Sequence, residues 1–164
     1  MQILDLGCGP FSKKPGSIGV DINPAPHVDL IHDLNEFPYP FENDQFEHIE
    51  MSHILEHVKD PAQMMNEVHR IACSDATIRL ITPHYTSQLS YGDLTHYHHF
   101  GYVTFTTLCN SGKFQIKRHK IWFTDFYKVL GVAVLANWFP RRWEKYLSFI
   151  FPAMYVEVVL QVMK

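Results

Sequence analysis

The tightest constraint in the chain is at its start. A short apolar run, Gln2–Leu6, stops at Gly7-Cys8-Gly9-Pro10, and a second apolar run, Ser17–Asp21, ends on an acid before Ile22-Asn23-Pro24. Apolar runs of this length, bounded by glycine and proline, predict strands buried on both faces. Such strands belong to parallel sheets. Gly7 and Gly9 let the backbone turn sharply and approach a ligand with no side chain between. Asp21, at the end of the neighbouring strand, is placed to accept hydrogen bonds from ribose hydroxyls. Together these features predict a nucleoside site.

The spacing narrows the nucleoside. A dinucleotide fingerprint needs a third glycine, where position 12 here is serine, and a helix N-terminus to hold a pyrophosphate. Only eleven residues separate Gly9 from Asp21, and they include Pro10, Pro15 and Gly16, so a full helix does not fit. The lysine–hydroxyl pair of a triphosphate loop is absent too. A nucleoside without phosphates fits better.

Further along, Val28–Ile31, Phe46–Met51 and Thr77–Thr82 are predicted strands, and Asn35–Asn43, with Pro38 and Pro40, is loop. Asp60-Pro61 reads as an N-cap followed by proline at the first helical position, with Gln63 completing a capping box. Met64, Met65, Val68, Ile71 and Ala72 keep helical spacing, which predicts a helix over Pro61–Cys73. Thr104 is expected to cap a short helix ending near Gly112. Phe114–Phe123 is strand-like, Phe126–Ala136 and Arg141–Ile150 are helical, and Tyr155–Met163 is a closing strand. Alternation of this kind predicts an α/β fold, a three-layer sandwich with a mostly parallel sheet. At 164 residues, 1–164 is expected to be a single domain.

Fourteen Lys+Arg against seventeen Asp+Glu leave net charge −3, with no basic excess for phosphates, so no nucleic-acid partner is expected. Three widely spaced cysteines, Cys8, Cys73 and Cys109, argue against a disulfide framework and fit a reducing compartment. The N-terminus has no basic region followed by a long apolar stretch, so a cytoplasmic location is expected.

These residues resemble the class I S-adenosylmethionine-dependent methyltransferases, in their small-molecule, ubiquinone-biosynthesis-like branch, in a minimal version. ILDLGCGP resembles the family's first motif and GVDINP its acidic second strand. His32-Asp33-Leu34-Asn35 with FPYPFENDQFEHI resembles the adenine loop and fourth strand, and MSHILEHVKDP the segment after it. The resemblance implies a Rossmann-like seven-stranded sheet with an antiparallel last strand and a first helix shortened or absent. It implies S-adenosyl-L-methionine as cofactor. Gly7 and Gly9 would face its methionine and ribose parts, with Cys8 and Ile22 beside them, and Asp5 would orient the ammonium. Asp21 would hold the ribose, Asp33 would accept from the adenine amino group, Leu34 would pack on the ring, and Ser52 and His53 would line the methionine end. Two departures stand out. The short Phe11–Gly16 loop replaces the first helix, and Ser74-Asp75-Ala76, still turn-like, replaces the usual Pro-Gly-Gly before the fifth strand. The family's N-terminal lid helices have no counterpart in this sequence, which keeps a second function open: a non-catalytic cofactor-binding or partner subunit.

Eleven histidines are many for this length. His53, Glu56 and His57 match an H-x-x-E-H zinc-peptidase pattern, in which two histidines share a helix face. The family segment accounts for the same string, and no metal is expected. His84-Tyr85 and Asp93-Leu94-Thr95-His96-Tyr97-His98-His99 fall after the fifth strand, on the ligand edge of a parallel sheet. His96 and His84 are the candidate bases for an O- or N-acceptor, with Tyr85 and Asp93 to orient them. A structural role is the competing expectation, and a metal held by Asp93, His96 and His98 or His99 a weaker one. Residues 121–155 concentrate aromatics with Arg141, Arg142 and Lys145 among them. They are expected mainly to pack outer helices onto the sheet. A lipid surface, an apolar acceptor pocket and a homodimer face are the alternatives. The acceptor is expected to be a small molecule, glycan or lipid-linked metabolite.

Overall fold

The computed structural model describes residues 2–11 and 13–164, so the serine at position 12 lies outside the described residues. Seven strands form one sheet: β1 (Ile3–Leu6), β2 (Ser17–Asp21), β3 (Leu30–Ile31), β4 (Phe46–Ser52), β5 (Ala72–Pro83), β6 (Phe114–Trp122) and β7 (Tyr155–Val162). Their order is β3-β2-β1-β4-β5-β7-β6. The strands β1 to β5 pair in parallel, and β7 is antiparallel to both of its neighbours. The chain steps outward from β1 in two directions, which places the switch point between β1 and β4.

Register explains the two faces of the sheet. Leu4, Ile49, Ile78 and Leu160 stand side by side, as do Leu6, Met51, Leu80 and Val158, all fully buried. Helices α1 (Pro61–Ile71) and α3 (Tyr102–Leu108) cover that face with Met64, Met65, Val68 and Phe105. Residues of opposite parity are charged. Lys14, His48 and Arg79 converge on Glu50, Arg79 Nε donates to Glu157 at 2.8 Å, and Trp122 Nε1 donates to Glu157 at 2.7 Å. Burial alone would raise the pKa values of Glu50 and Glu157, but these partners outweigh it and hold both below the usual carboxylate range. Right-handed crossovers on either side of the switch point put a β1–β2 helix on the face opposite α1. No helix joins β1 to β2 among the described residues, and the charged ladder gives that face a surface that tolerates water.

Asp60 caps α1 as expected, accepting from Gln63 N at 2.9 Å. The helix stops at Ile71, and Ala72 already begins β5. Ser74-Asp75-Ala76 is a bulge within that strand: Asp75 has φ +63°, and pairing jumps from Phe46–Ala72 to His48–Thr77. Thr104 is not the cap of α3. It sits at the third helical position, where its Oγ1 accepts from Gly101 N. The expected Phe126–Ala136 helix is two, α4 (Asp125–Val129) and α5 (Val132–Trp138), because Gly131 takes a left-handed φ of +74° and ends the first. α6 (Pro140–Tyr146) follows, and α2 (Gln88–Tyr91) is one turn after β5. Ile121, Phe123, Ala136, Trp143 and Ala153 form a second small core. Packing accounts for only part of the aromatic third, since Phe126, Trp138 and Phe149 are largely exposed. No helix among the described residues is long and apolar enough to cross a membrane.

Candidate functional site

The ends of β1, β2 and β4 open into a cleft of about 490 Å³, within the usual range for a small ligand. Gly7, Gly9, Asp21, Ile22, Asp33, Leu34 and His53, all among the candidate cofactor residues, line it. Asn23, His32, Asn35, Ile54, His57, Val58, Thr95 and Tyr97 line it as well.

The glycine turn is held from below. Gly7 N and Cys8 N both donate to Val20 O, at 2.9 and 3.2 Å. Gly9 N donates to Asp21 Oδ2 at 2.9 Å, and His27 Nε2 donates to Gly9 O at 2.7 Å. Gly7 and Gly9 both have φ +69°, in the region that disfavours a side chain. A Cβ on Gly7 would lie 2.7 Å from Ile54, so the close approach at that position also demands glycine. Asp5, Cys8 and Ser52 do not line the cleft. Asp5 is buried under the turn and accepts from Lys14 N at 2.7 Å, with its pKa raised by burial. Burial likewise pushes the Cys8 thiol up to about 11. Ser52 is exposed at the end of β4.

The two acids share a device. In Asp21-Ile22-Asn23 and Asp33-Leu34-Asn35 the asparagine N–H donates to the acid's Oδ1, at 2.9 Å in each case. This is an Asx turn, and the repeated D-x-N spacing was a readable sign of the asparagines' place. Asn35 N chiefly holds the Asp33 carboxyl below its ordinary range. Asn35 Oδ1 accepts from Lys59 N at 2.8 Å, which ties the Asp33–Asn35 turn to the chain after β4.

His53 has φ +56°, and Leu55–His57 is a single 3-10 turn. The H-x-x-E-H string therefore puts its histidines on no common α-helical face, which removes the geometry of a zinc peptidase. The loop after α2 folds back instead: Tyr97 N and His98 N donate to Glu56 O, at 2.8 and 3.4 Å. Thr95 N and Oγ1 donate to Asp93 Oδ1, at 2.8 and 2.7 Å. His57 Nδ1 then donates to Thr95 Oγ1 at 2.9 Å, and His96 Nδ1 to Ser90 O at 3.0 Å. The His57 and His96 rings stand 4.5 Å apart, edge to face. His98 Nε2 donates to Lys59 O and His99 pairs with Ser90 Oγ; among the described residues neither stands close enough to Asp93 and His96 to form a metal set.

The expectation for His84 and Tyr85 needs correction. His84 is fully buried, its Nδ1 accepts from Thr86 N at 3.2 Å, and its Nε2 donates to Glu144 Oε1 at 3.3 Å. No lone pair remains to take an acceptor's proton. Tyr85 OH donates to Glu144 O at 3.1 Å. Glu144 also accepts from Tyr102 N and Val103 N, at 2.6 and 3.1 Å. Burial raises the Glu144 pKa, and His84 with these N–H groups outweighs that and holds it low. The pair anchors α6 to the start of α3 and does not face the cleft.

Residues 4–80, which supply the glycine turn, both acids and the segment after β4, match the model of the methyltransferase domain family. Over these residues the chain is similar to a methyltransferase domain, and its fold is that of S-adenosylmethionine-dependent methyltransferases. The match supports the family and no particular branch of it. Comparison with curated proteins finds none that matches. Solved structures share the fold of this chain. An S-adenosylmethionine-dependent methyltransferase from Archaeoglobus fulgidus is 19% identical, with TM-score 0.68, over 98% of this chain and 85% of that one. One from Mesorhizobium loti is 16% identical, with TM-score 0.66, over 98% and 90%. A Haloferax volcanii methyltransferase, solved with the Trm112 methyltransferase activator, is 13% identical, with TM-score 0.65, over 99% and 83%. The family's cofactor fits the cleft, because the turn that a Cβ on Gly7 would fill and the two acid-bearing Asx turns open on one space.

Proposed function

We propose that the chain moves a methyl group from S-adenosylmethionine to a small-molecule, glycan or lipid-linked acceptor. One observation carries this reading: Thr95 and Tyr97, from the loop after β5, line the same cleft as the glycine turn, Asp21 and Asp33. A cofactor side and an acceptor side therefore share one space. Gly7 and Gly9 would accommodate the methionine and ribose, Asp21 the ribose hydroxyls, Asp33 the adenine amino group, Leu34 the ring and His53 the methionine end. Bound there, the cofactor supplies an electrophilic methyl on sulfur. The chain's own work is to position the acceptor and exclude water. Asp93 acts through Thr95 to orient His57, and His96 stands beside it on the acceptor side. A lipid-linked acceptor is supported by exposed Phe126, Trp138 and Phe149 with Lys128, Arg141, Arg142 and Lys145 nearby, a surface that also suits a second copy of the chain.

Calorimetry of S-adenosylmethionine and S-adenosylhomocysteine tests the cofactor half. Binding to the wild type is expected, and Asp21→Ala should weaken it about 10–100-fold, the loss of hydrogen bonds to a charged group. A folded chain that binds neither overturns the reading. Transfer of labelled methyl into a small-metabolite and lipid extract tests the acceptor half, with label confined to nucleic acid as the contrary result.

A further inference from the structure

We propose that Glu56, His57 and His96 hold a divalent transition-metal ion, zinc by preference, on the acceptor edge of the cleft. One carboxylate oxygen of Glu56 and one ring nitrogen of each histidine lie within 4.8 Å of one another. Glu56 is 1% exposed, and its Oε2 has no hydrogen-bond partner among the described residues. A buried carboxylate oxygen without a partner is costly, and a cation is the partner that removes the cost.

The hydrogen bonds settle what the imidazoles can offer. Ser90 O can only accept, so His96 carries its proton on Nδ1. Thr95 spends its hydroxyl proton on Asp93, so Thr95 Oγ1 accepts from His57 Nδ1–H. Each ring is left with a lone pair on Nε2, and each is oriented by the bond on its other nitrogen, as metal-ligating histidines are. Two neutral imidazoles and one carboxylate suit zinc and its neighbours in the first row. Magnesium and calcium prefer oxygen throughout. Three protein ligands leave a coordination position open, and His57 lines the cleft. The arrangement differs from the one that H-x-x-E-H suggests. His53 is turned to Glu56 Oε1 at 3.3 Å, and the third ligand comes from the loop after β5.

The test needs no cofactor. Chelator-stripped protein is titrated with Co²⁺, read by its visible d–d bands, and with Zn²⁺, read by calorimetry. One ion per chain is expected. Glu56→Gln and His96→Gln should each lose it. Thr95→Val, which removes the support of His57 and no ligand, should weaken it about tenfold or more. The double variant His98→Gln, His99→Gln should bind as the wild type does. His96 is half-buried on a largely exposed loop, so His96→Gln stays informative if Glu56→Gln fails to fold, with melting temperature confirming an intact chain. The proposal is overturned by a folded chain that takes up no stoichiometric ion. Binding that survives both ligand substitutions, or an equal loss in the His98, His99 control, overturns it as well. Cofactor calorimetry on the same preparation keeps the two readings apart: cofactor binding without metal binding defeats this site alone, and the reverse defeats the methyltransferase reading alone.

Discussion

The cofactor cleft and the helical third, α4 to α6, are held by different forces. In the cleft, side chains and turns are fixed by hydrogen bonds over short stretches: Asp21 to Gly9 and Asn23, Asp33 to Asn35, Thr95 to Asp93. Such bonds each contribute about 1 kcal/mol net, yet they set positions closely. The helical third is held by a few large buried groups, with Trp143 between His84 and Phe123 and the Glu144 carboxylate at the start of α3. There the stabilisation is large and the geometry is shared among few contacts. The contrast teaches that stability and ligand specificity need not reside in the same residues of a small domain.

The strongest way to break this contrast is Trp143→Ala. The ring is fully buried, so its loss is expected to cost about 3–5 kcal/mol in urea denaturation. Cofactor affinity of the folded fraction should stay within about twofold, as for distant sites. A collapse of binding in step with stability would merge the two regions into one.

The next largest effect depends on pH. His119 on β6 stacks on Tyr102 at 3.7 Å with both ring nitrogens buried and unpartnered among the described residues. Burial pushes its pKa down to about 4. The unfolded chain takes up this proton near the ordinary histidine value of about 6.5, so stability present above that pH is lost as pH falls towards 4. The loss should reach about 3 kcal/mol. His119→Phe keeps the stack and should flatten the stability profile across this window. An unchanged profile would place the titration elsewhere.

Gly7→Ala sharpens the contrast from the other side. The left-handed backbone costs about 1–2 kcal/mol with a side chain, and the new Cβ displaces Ile54 in the cleft. Stability should fall by that small amount while cofactor affinity falls about tenfold or more. A variant that binds normally would show that the turn needs no close approach at Gly7.

Much of the fold was legible because its signals are local. Two apolar runs, a glycine turn and an acid at a strand end mark β1 and β2 within a few residues, and Asp60-Pro61 marks the start of α1. The break at Gly131 was hidden by continuous apolar spacing on either side of it. The part of the cleft built from the glycine turn and the end of β2 was legible for the same reason. The part built from the loop after β5 was not: chain order alone put His84 and His96 on an equal footing. Their difference rests on Glu144, which is distant in sequence and takes up His84, and on the return of residues 97–98 to Glu56 O, which sets His96 beside His57.

The sequence by itself thus determined the parallel sheet, the glycine turn and the acid at the end of β2, since strand and turn chemistry act over neighbouring residues. Only the tertiary structure decided which histidines are spent on packing and which keep a lone pair for a ligand. A ring nitrogen's role is set by whichever group meets it in space, and here those groups come from α6 and from the loop after β5.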